Sequence, residues 1–179
     1  MPGQFHSGDA AFDQDELWET LSTQVDAGKV RHLGISIGSN RNIHQTDRAS
    51  QVGAKAIQVV YSRIDREPEL EVLPACQRQD LGVLAREALA GGLLSGRYAP
   101  GSRFTDPADT RSQRPVEETD RRLEEVARIK ENDVPEGVDM ASWALAWCLR
   151  HPAITTIIPG CKSVEQVEKN AAAADLVPD

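Results

Sequence analysis

AIQVVYSRIDREPELEVLPACQRQDLGVLAR, residues 56–86, is the stretch that decides the fold. It begins with an apolar run at 56–61 and ends with another at 83–86. Between them, residues 69–79 repeat apolar side chains at helical spacing. A strand, a helix and a strand in this order predict two parallel strands joined by a crossover helix.

The same alternation continues along the rest of the chain. Strands are predicted at 30–36, 56–61, 83–86 and 154–158. Helices are predicted at 13–28 with a cap at Asp13, and at 42–53, 69–79, 116–131, 140–150 and 163–174. Four strand–helix repeats favour a parallel α/β sheet of the kind found in (β/α) barrels. Residues 99–115 are rich in Pro, Gly, Asp, Ser and Arg, and we predict a long, mobile surface loop there.

Composition narrows the functional classes. The 179 residues carry 20 Lys and Arg against 28 Asp and Glu, a net charge of −8, so binding to a nucleic-acid backbone is not expected. Hydrophobic residues make up 40%, which is too many for a disordered chain. No apolar run approaches the ~20 residues that cross a membrane. With no secretion signal at the N-terminus and three cysteines of irregular spacing, we expect a cytoplasmic protein with reduced thiols.

The strongest local signal for chemistry lies at 157–170. There a strand is followed by a turn at Gly160, then Lys162, then a helix that Ser163 can cap. The first N–H groups of a helix and its dipole favour an anion, and a lysine adds a full charge. The alternative is that Ser163 is only a cap and Lys162 only a solvated charge. Gln166 and Asn170 lie four residues apart, on one face of this helix.

Polar residues within or at the ends of apolar strands give weaker signals. Arg86 could stack on a ring or pair with a phosphate, or it could form a structural ion pair. Gln58 lies mid-strand and either faces a ligand or satisfies a neighbour's backbone. The four histidines show no spacing for a metal site or a catalytic triad. We give His6 little weight as a candidate catalytic residue.

Four ordered segments together resemble the C-terminal half of the aldo-keto reductase family. Residues 28–36 resemble its fifth strand and the preceding turn, and 57–61 its sixth strand. Residues 82–98 resemble the seventh strand and its loop, and 144–170 the terminal signature. The resemblance implies that residues 1–179 form an incomplete (β/α)8 TIM barrel, about its last four βα units and its cofactor-binding half.

The resemblance also implies a cofactor, because family members move hydride between NADP(H) and a carbonyl or alcohol. Ser36 and Gln58 would hold the nicotinamide carboxamide, and Arg86 would stack on the nicotinamide ring. The remaining implied contacts are Leu89 and Gly91 along the pyrophosphate, Gly160 at a phosphate position, Lys162 and Ser163 at the 2′-phosphate, and Gln166 and Asn170 at the adenine. Ile37 and Ala88 depart from the family's usual Asn and Pro.

The family's catalytic Asp, Tyr, Lys and His belong to the first four strands, so the resemblance assigns no catalytic residue to this chain. The first hypothesis is therefore a truncated oxidoreductase that is inactive alone and meets its carbonyl or alcohol substrate only if the other half is supplied. The second is a non-catalytic NADP(H)-binding or subunit-association module. A phosphate-binding isomerase or aldolase half would need an acid–base or Schiff-base residue at a strand end, and we identify none.

Half a barrel would expose two sheet edges, expected near 30–36 and 154–158. Unpaired backbone groups at such edges invite partners. We therefore predict self-association, as a homodimer imitating a closed barrel, or else a soft, partly ordered monomer.

Overall fold

A computed structural model describes residues 3–5 and 8–177 of the chain. They form two compact units, each taken by itself below. The first unit comprises 3–5, 8–61, 66–86 and 151–158, and the second comprises 62–65, 87–150 and 159–177. His6 lies outside the described residues.

The first unit contains one parallel sheet of five strands in chain order. The strands are β1 (Gly3–Phe5), β2 (Leu33–Ser36), β3 (Ala54–Val60), β4 (Gly82–Arg86) and β5 (Thr156–Ile157). Each strand pairs in parallel with the next. The pairing of β2 with β3 is close at Gly34, where a Cβ would lie 3.2 Å from the Ala56 carbonyl oxygen and would press on it. The predicted α/β class with parallel strands is confirmed.

One face of this sheet builds the core of the first unit. Ile57 and Val59 of β3 and Val83 of β4 are fully buried, whereas the alternate side chains, Gln58 among them, are only half-buried. Successive side chains of a strand point to opposite faces, so this alternation follows directly from the sequence. The half-buried face is therefore the one that can present polar groups.

Four helices belong to the first unit: α1 (Asp9–Phe12), α2 (Asp15–Asp26), α3 (Ile43–Asp47) and α4 (Val72–Arg78). The predicted cap at Asp13 is wrong, because α2 begins at Asp15 after Gln14. Asp13 instead contacts the His44 Nε2 at 2.8 Å and forms an ion pair with Arg48.

The second unit is helical. It contains α5 (Val116–Asn132), α6 (Met140–Leu149) and α7 (Val164–Ala172), with short 3-10 turns at Ala90–Ser95, Thr110–Gln113 and Ala173–Leu176. Leu93, Leu123 and Trp143 lie in its hydrophobic core. Asp139 caps α6 by accepting a hydrogen bond from the Ser142 N–H at 2.9 Å, as an N-cap carboxylate does.

Three expectations about element boundaries need correction. The strand β1 was not predicted, and it pairs with β2, so the open edge expected near 30–36 is wrong. The helix expected at 42–53 ends at Asp47 and continues as turns. The strand expected at 154–158 is shorter as β5, although Thr155 and Ile158 still donate backbone hydrogen bonds to β4. Self-association stays a prediction.

No helix between residues 8 and 177 has both the length and the apolar character needed to span a bilayer. The longest of these helices, α5, has 17 residues and is strongly charged. The expected cytoplasmic location stays a prediction.

Two leucines near the start of α4 test the assignment of the core. Leu73 is 0% exposed and Leu70 is 79% exposed. We expect Leu73→Ala to lower the free energy of unfolding by about 2–5 kcal/mol, because it removes buried methyl groups and leaves a cavity. Leu70→Ala is the matched control, with an expected change within about 0.5 kcal/mol. Urea denaturation measures both, and equal losses would contradict this packing.

Candidate functional site

Ser36 and Gln58 meet at the carboxyl end of β2. They are register partners in the parallel pairing of β2 with β3. The Gln58 Nε2 donates a hydrogen bond to the Ser36 Oγ at 3.0 Å, and Ser36 is only 5% exposed. The structure therefore brings these two predicted residues into contact, with the Gln58 amide bonded to a neighbouring hydroxyl.

Arg86 is the last residue of β4 and lies on the same face of the sheet as Gln58. It pairs in register with Val60, which lies two residues after Gln58 in β3. Register partners and residues two apart share a face, so Arg86 lies on the half-buried face with Gln58. Its carbonyl oxygen accepts a hydrogen bond from the Tyr61 N–H at 3.2 Å. Three polar side chains thus mark the carboxyl edge of the sheet, where (β/α) barrels place their chemistry.

The loop that contains Leu89 and Gly91 begins the second unit, and its backbone is unusual. Glu87, Ala90, Gly91 and Gly92 have φ values of 56°, 51°, 66° and 89°. Side-chain-bearing residues rarely adopt this left-handed region, and such strain occurs most often at functional sites. Gly91 is exposed, whereas Leu89 is half-buried.

The start of α7 is organised by its own polar side chains. The Ser163 Oγ accepts a hydrogen bond from the Gln166 N–H at 3.2 Å, which confirms the predicted cap. The Gln166 Oε1 accepts a hydrogen bond from the Lys162 N–H at 2.7 Å. Asn170 reaches back to the same turn, with its Nδ2 donating to the Cys161 Sγ at 3.1 Å. Four predicted residues therefore converge on one helix start, and Gly160 precedes this turn by one residue.

Asp109 and Arg111, in the segment 99–115, form an ion pair, and the charge of Lys162 also acts on Asp109. Sequence reasoning missed both residues. The Arg111 guanidinium forms a forked ion pair with the Asp109 carboxylate, 2.5 Å at its shortest contact. These hydrogen bonds, together with a smaller contribution from the charge of Lys162, lower the pKa of Asp109 to about 2. Asp109 raises the pKa of Arg111 in return. The sequence signal that could have identified this ion pair is the Asp-x-Arg spacing within a loop of few apolar residues.

Arg97 is a second cation that sequence reasoning missed. It is exposed, and its charge contributes to the lowered pKa of Glu165, which forms an ion pair with Lys169 along α7 at 2.9 Å. Arg97 follows the buried Leu94 by three residues, and this position carried no sequence signal of its own.

The predicted mobile loop at 99–115 carries specific attachments. The Phe104 ring lies 5.0 Å from the Tyr98 ring, measured between centroids. Arg103 forms a forked ion pair with Asp120 of α5, at 2.7 and 3.1 Å. An aromatic contact and one forked ion pair thus attach the loop in this conformation, and its mobility stays a prediction.

The structure describes no group of three or more His, Cys, Asp or Glu residues that could hold a metal ion between residues 8 and 177. The predicted residues thus lie in two separate polar clusters: the strand-end cluster (Ser36, Gln58 and Arg86) in the first unit, and the helix-start cluster (Lys162, Ser163, Gln166 and Asn170) in the second. Chemically, the first offers amide and hydroxyl hydrogen bonds, and the second favours an anion.

Solved structures contain this arrangement of strands and helices. The holo form of aldo-keto reductase AKR11C1 from Bacillus halodurans superposes with a TM-score of 0.74 at 27% identity. The match covers 96% of this chain and 54% of that one. The class of fold is therefore a (β/α) barrel, of which this chain corresponds to a part.

The sequence defines the family more narrowly. The model described as "Aldo/keto reductase family" matches residues 3–179, and the chain belongs to this family. It is 31% identical over 180 residues to the uncharacterized oxidoreductase YrpG of Bacillus subtilis, covering 98% of this chain and 54% of YrpG. It is 28% identical to aldo-keto reductase yakc [NADP(+)] of Schizosaccharomyces pombe, covering 89% and 48%.

A third relative carries a different name. The chain is 29% identical to a probable voltage-gated potassium channel subunit beta of Oryza sativa subsp. japonica, covering 97% of this chain and 56% of that protein. The chain spans about half the length of the curated relatives it matches. The predicted family is confirmed, while the activity of a whole protein is a matter for proposal.

The three thiols provide a direct test of the local structure. Cys76 and Cys148 are buried, and burial raises the pKa of each to about 12, whereas Cys161 is exposed beside α7. Because the thiolate is the reactive form, we expect one fast-reacting thiol with Ellman's reagent in the folded chain and three after unfolding. Cys161→Ser should remove the fast phase alone. A fast phase that survives this substitution would place the exposed thiol elsewhere.

Proposed function

We propose that the chain is the NADP(H)-binding part of an aldo-keto reductase. In this proposal the helix-start cluster receives the adenosine phosphate end of the cofactor, and the strand-end cluster receives the nicotinamide end. When bound, NADP(H) supplies the hydride that passes to or from a carbonyl or alcohol carbon. The chain's own residues bind and orient the cofactor.

The organised start of α7 is the observation that carries the proposal. Ser163 satisfies one backbone N–H of the first turn, and the helix dipole concentrates partial positive charge there. Lys162 adds a full positive charge at the residue before the cap. A phosphate monoester suits this helix start better than a neutral ligand does, because Lys162 and the backbone N–H groups of the first turn both favour an anion.

Lys162 also supports a preference for NADP(H) over NAD(H). The two cofactors differ only in the 2′-phosphate of the adenosine ribose, so a cation that binds this group discriminates between them. A hydrogen bond between charged partners contributes about 1.5–3 kcal/mol. Gln166 and Asn170, which face the same turn, would contact the adenine end next to that phosphate.

The strand-end cluster fits a carboxamide. An amide needs both a donor and an acceptor, and the Gln58 side chain and the Ser36 hydroxyl can provide both from neighbouring strands. Arg86 has a planar guanidinium that can stack on an aromatic ring. Leu89, Gly91 and Gly160 complete the proposed set with backbone and apolar contacts.

The proposal includes no general acid from this chain. Reduction of a carbonyl requires a group that protonates the oxygen as hydride arrives. The family resemblance assigns none of the chain's residues to that role, and the proposed activity of the chain is therefore cofactor binding without turnover. A carbonyl or alcohol substrate would be converted only with the residues that the rest of a barrel supplies.

Replacing Lys162 tests the phosphate assignment. We expect Lys162→Ala to weaken NADPH binding roughly 10- to 100-fold in isothermal titration calorimetry, because one charge-assisted contact is lost. NADH binding should stay unchanged, since NADH lacks the 2′-phosphate. Lys169→Ala is the matched control, because Lys169 lies on the same helix and is already paired with Glu165. Equal losses for both cofactors, or for both variants, would contradict the assignment.

A turnover assay tests the second part of the proposal. The isolated chain, saturated with NADPH and given a simple aldehyde, should show no steady decrease in NADPH absorbance beyond the buffer control. Calorimetric binding in the same sample is needed to show that the protein is competent. Sustained turnover would show that the chain contains its own general acid.

A further inference from the structure

An open cavity of about 270 Å³ lies along the C-terminal part of α5, and its lining belongs entirely to the second unit. Four of the lining residues form one stripe of α5, at the spacing i, i+3, i+4 and i+7. The proposed cofactor site uses none of the lining. Its residues are Glu125, Arg128, Ile129 and Asn132 on the stripe, together with Arg63 and with Asp133, the C-cap of α5.

Arg63 is restrained within this lining. Its NH2 group donates a hydrogen bond to the Asp133 Oδ2 at 2.8 Å, and its guanidinium lies 5.6 Å from the centroid of the Trp147 ring. The Nε and NH1 groups of Arg63 make no hydrogen bond to any residue that the structure describes. Arg63 therefore keeps donors for a ligand, and a side chain that is already fixed loses little freedom on binding.

The main chain on both sides of Arg63 is restrained as well. The Asp65 carboxylate accepts two hydrogen bonds from the Arg122 guanidinium of α5, both at 2.8 Å, and a third from the Ser62 Oγ at 2.8 Å. Ser62 is fully buried. Arg63 lies between these two anchored residues, so its position beside α5 does not depend on its own side chain alone.

Glu125 and Arg128 bring opposite charges three residues apart on the stripe. Side chains at this spacing are neighbours, with about 5–6 Å between their Cβ atoms, and opposite charges there commonly pair. Within the part of the chain that the structure describes, however, neither side chain forms an ion pair or a hydrogen bond. Both charges can therefore contact a ligand that reaches across one helical turn.

The charges of the lining sum to zero, because the guanidinium groups of Arg63 and Arg128 are matched by the carboxylates of Glu125 and Asp133. A ligand with a net charge would be attracted by two of these groups and repelled by the other two. A zwitterion, in contrast, can place each of its charges beside an opposite one. The volume favours a small ligand, because pockets for drug-sized molecules occupy roughly 300–1,000 Å³. Ile129, only 4% exposed, adds an apolar surface.

We propose that this cavity binds a small zwitterion, namely an α-amino acid with an aliphatic side chain. The guanidinium groups of Arg128 and Arg63 receive its carboxylate, and the Glu125 carboxylate receives its ammonium group. Its aliphatic side chain packs on Ile129. An α-amino acid carries both charged groups on one carbon, which suits partners one helical turn apart. This site is independent of the proposed cofactor binding, and neither requires the other.

Amide-resolved NMR titrations of the chain with glycine, L-valine and L-leucine test the site. We expect L-valine to cause saturable chemical-shift changes at residues 62–65 and 125–133, with a dissociation constant of about 1 mM. Isobutylamine and isovalerate keep the branched chain of L-valine but lack its carboxylate and its ammonium group, respectively. Both should bind at least about tenfold more weakly, because each gives up the hydrogen bonds of one charged group.

Neighbouring residues of α5 provide matched variants. Glu125→Gln and Arg128→Gln should each weaken L-valine binding roughly five- to twentyfold, because each removes one charged partner. Glu124→Gln and Arg121→Gln remove the same charges from exposed positions of α5 outside the lining, and we expect less than about a twofold change. Unfolding midpoints establish that each variant is folded.

Binding of L-valine that needs both charges of the ligand, and both Glu125 and Arg128, supports the inference. The absence of a saturable change with all three amino acids would overturn it. Equal binding of L-valine and either analogue would overturn it as well, since one charge would then suffice, and so would equal losses in the matched variants. NADPH binding is measured separately, so its failure would contradict the proposed function and leave this result unaffected.

Discussion

The parallel register between strands is the constraint on which the rest of the first unit depends. Ser36 faces Gln58 because β2 and β3 pair at that position, and Arg86 shares their face because β4 pairs with β3 in step. A slip of β3 by one residue would turn Gln58 to the buried face and Ile57 to the half-buried face. Burial of one face therefore fixes which polar groups the other face presents.

In the second unit, the corresponding constraint is local charge rather than strand register. The chain carries a net charge of −8, so its overall field does not attract an anionic ligand. The proposed anion site would then depend on nearby groups, namely the capped start of α7 and Lys162. Fixed donors of this kind need little reorganisation when a ligand binds, which favours affinity.

The sequence was informative where patterns are long and local. Four of the five strands and the capped start of α7 followed from apolar runs and from Ser163. The strand β1 was missed because its three residues, Gly3–Phe5, show no periodicity, and only pairing with β2 defines it. The contacts of Arg111 were missed for a related reason: loop composition does not encode its packing on Tyr98 and Phe104 or its hydrogen bond to Gly91.

We propose that a phosphate-bearing dinucleotide binds at the start of α7. An amide-resolved NMR titration of the chain with NADP⁺ tests this binding. We expect the largest chemical-shift changes at residues 161–166 and 91–93, and we expect them to saturate together. Changes confined to another surface, such as the polar pocket lined by Arg63, Glu125 and Arg128, or no saturable change at all, would contradict it.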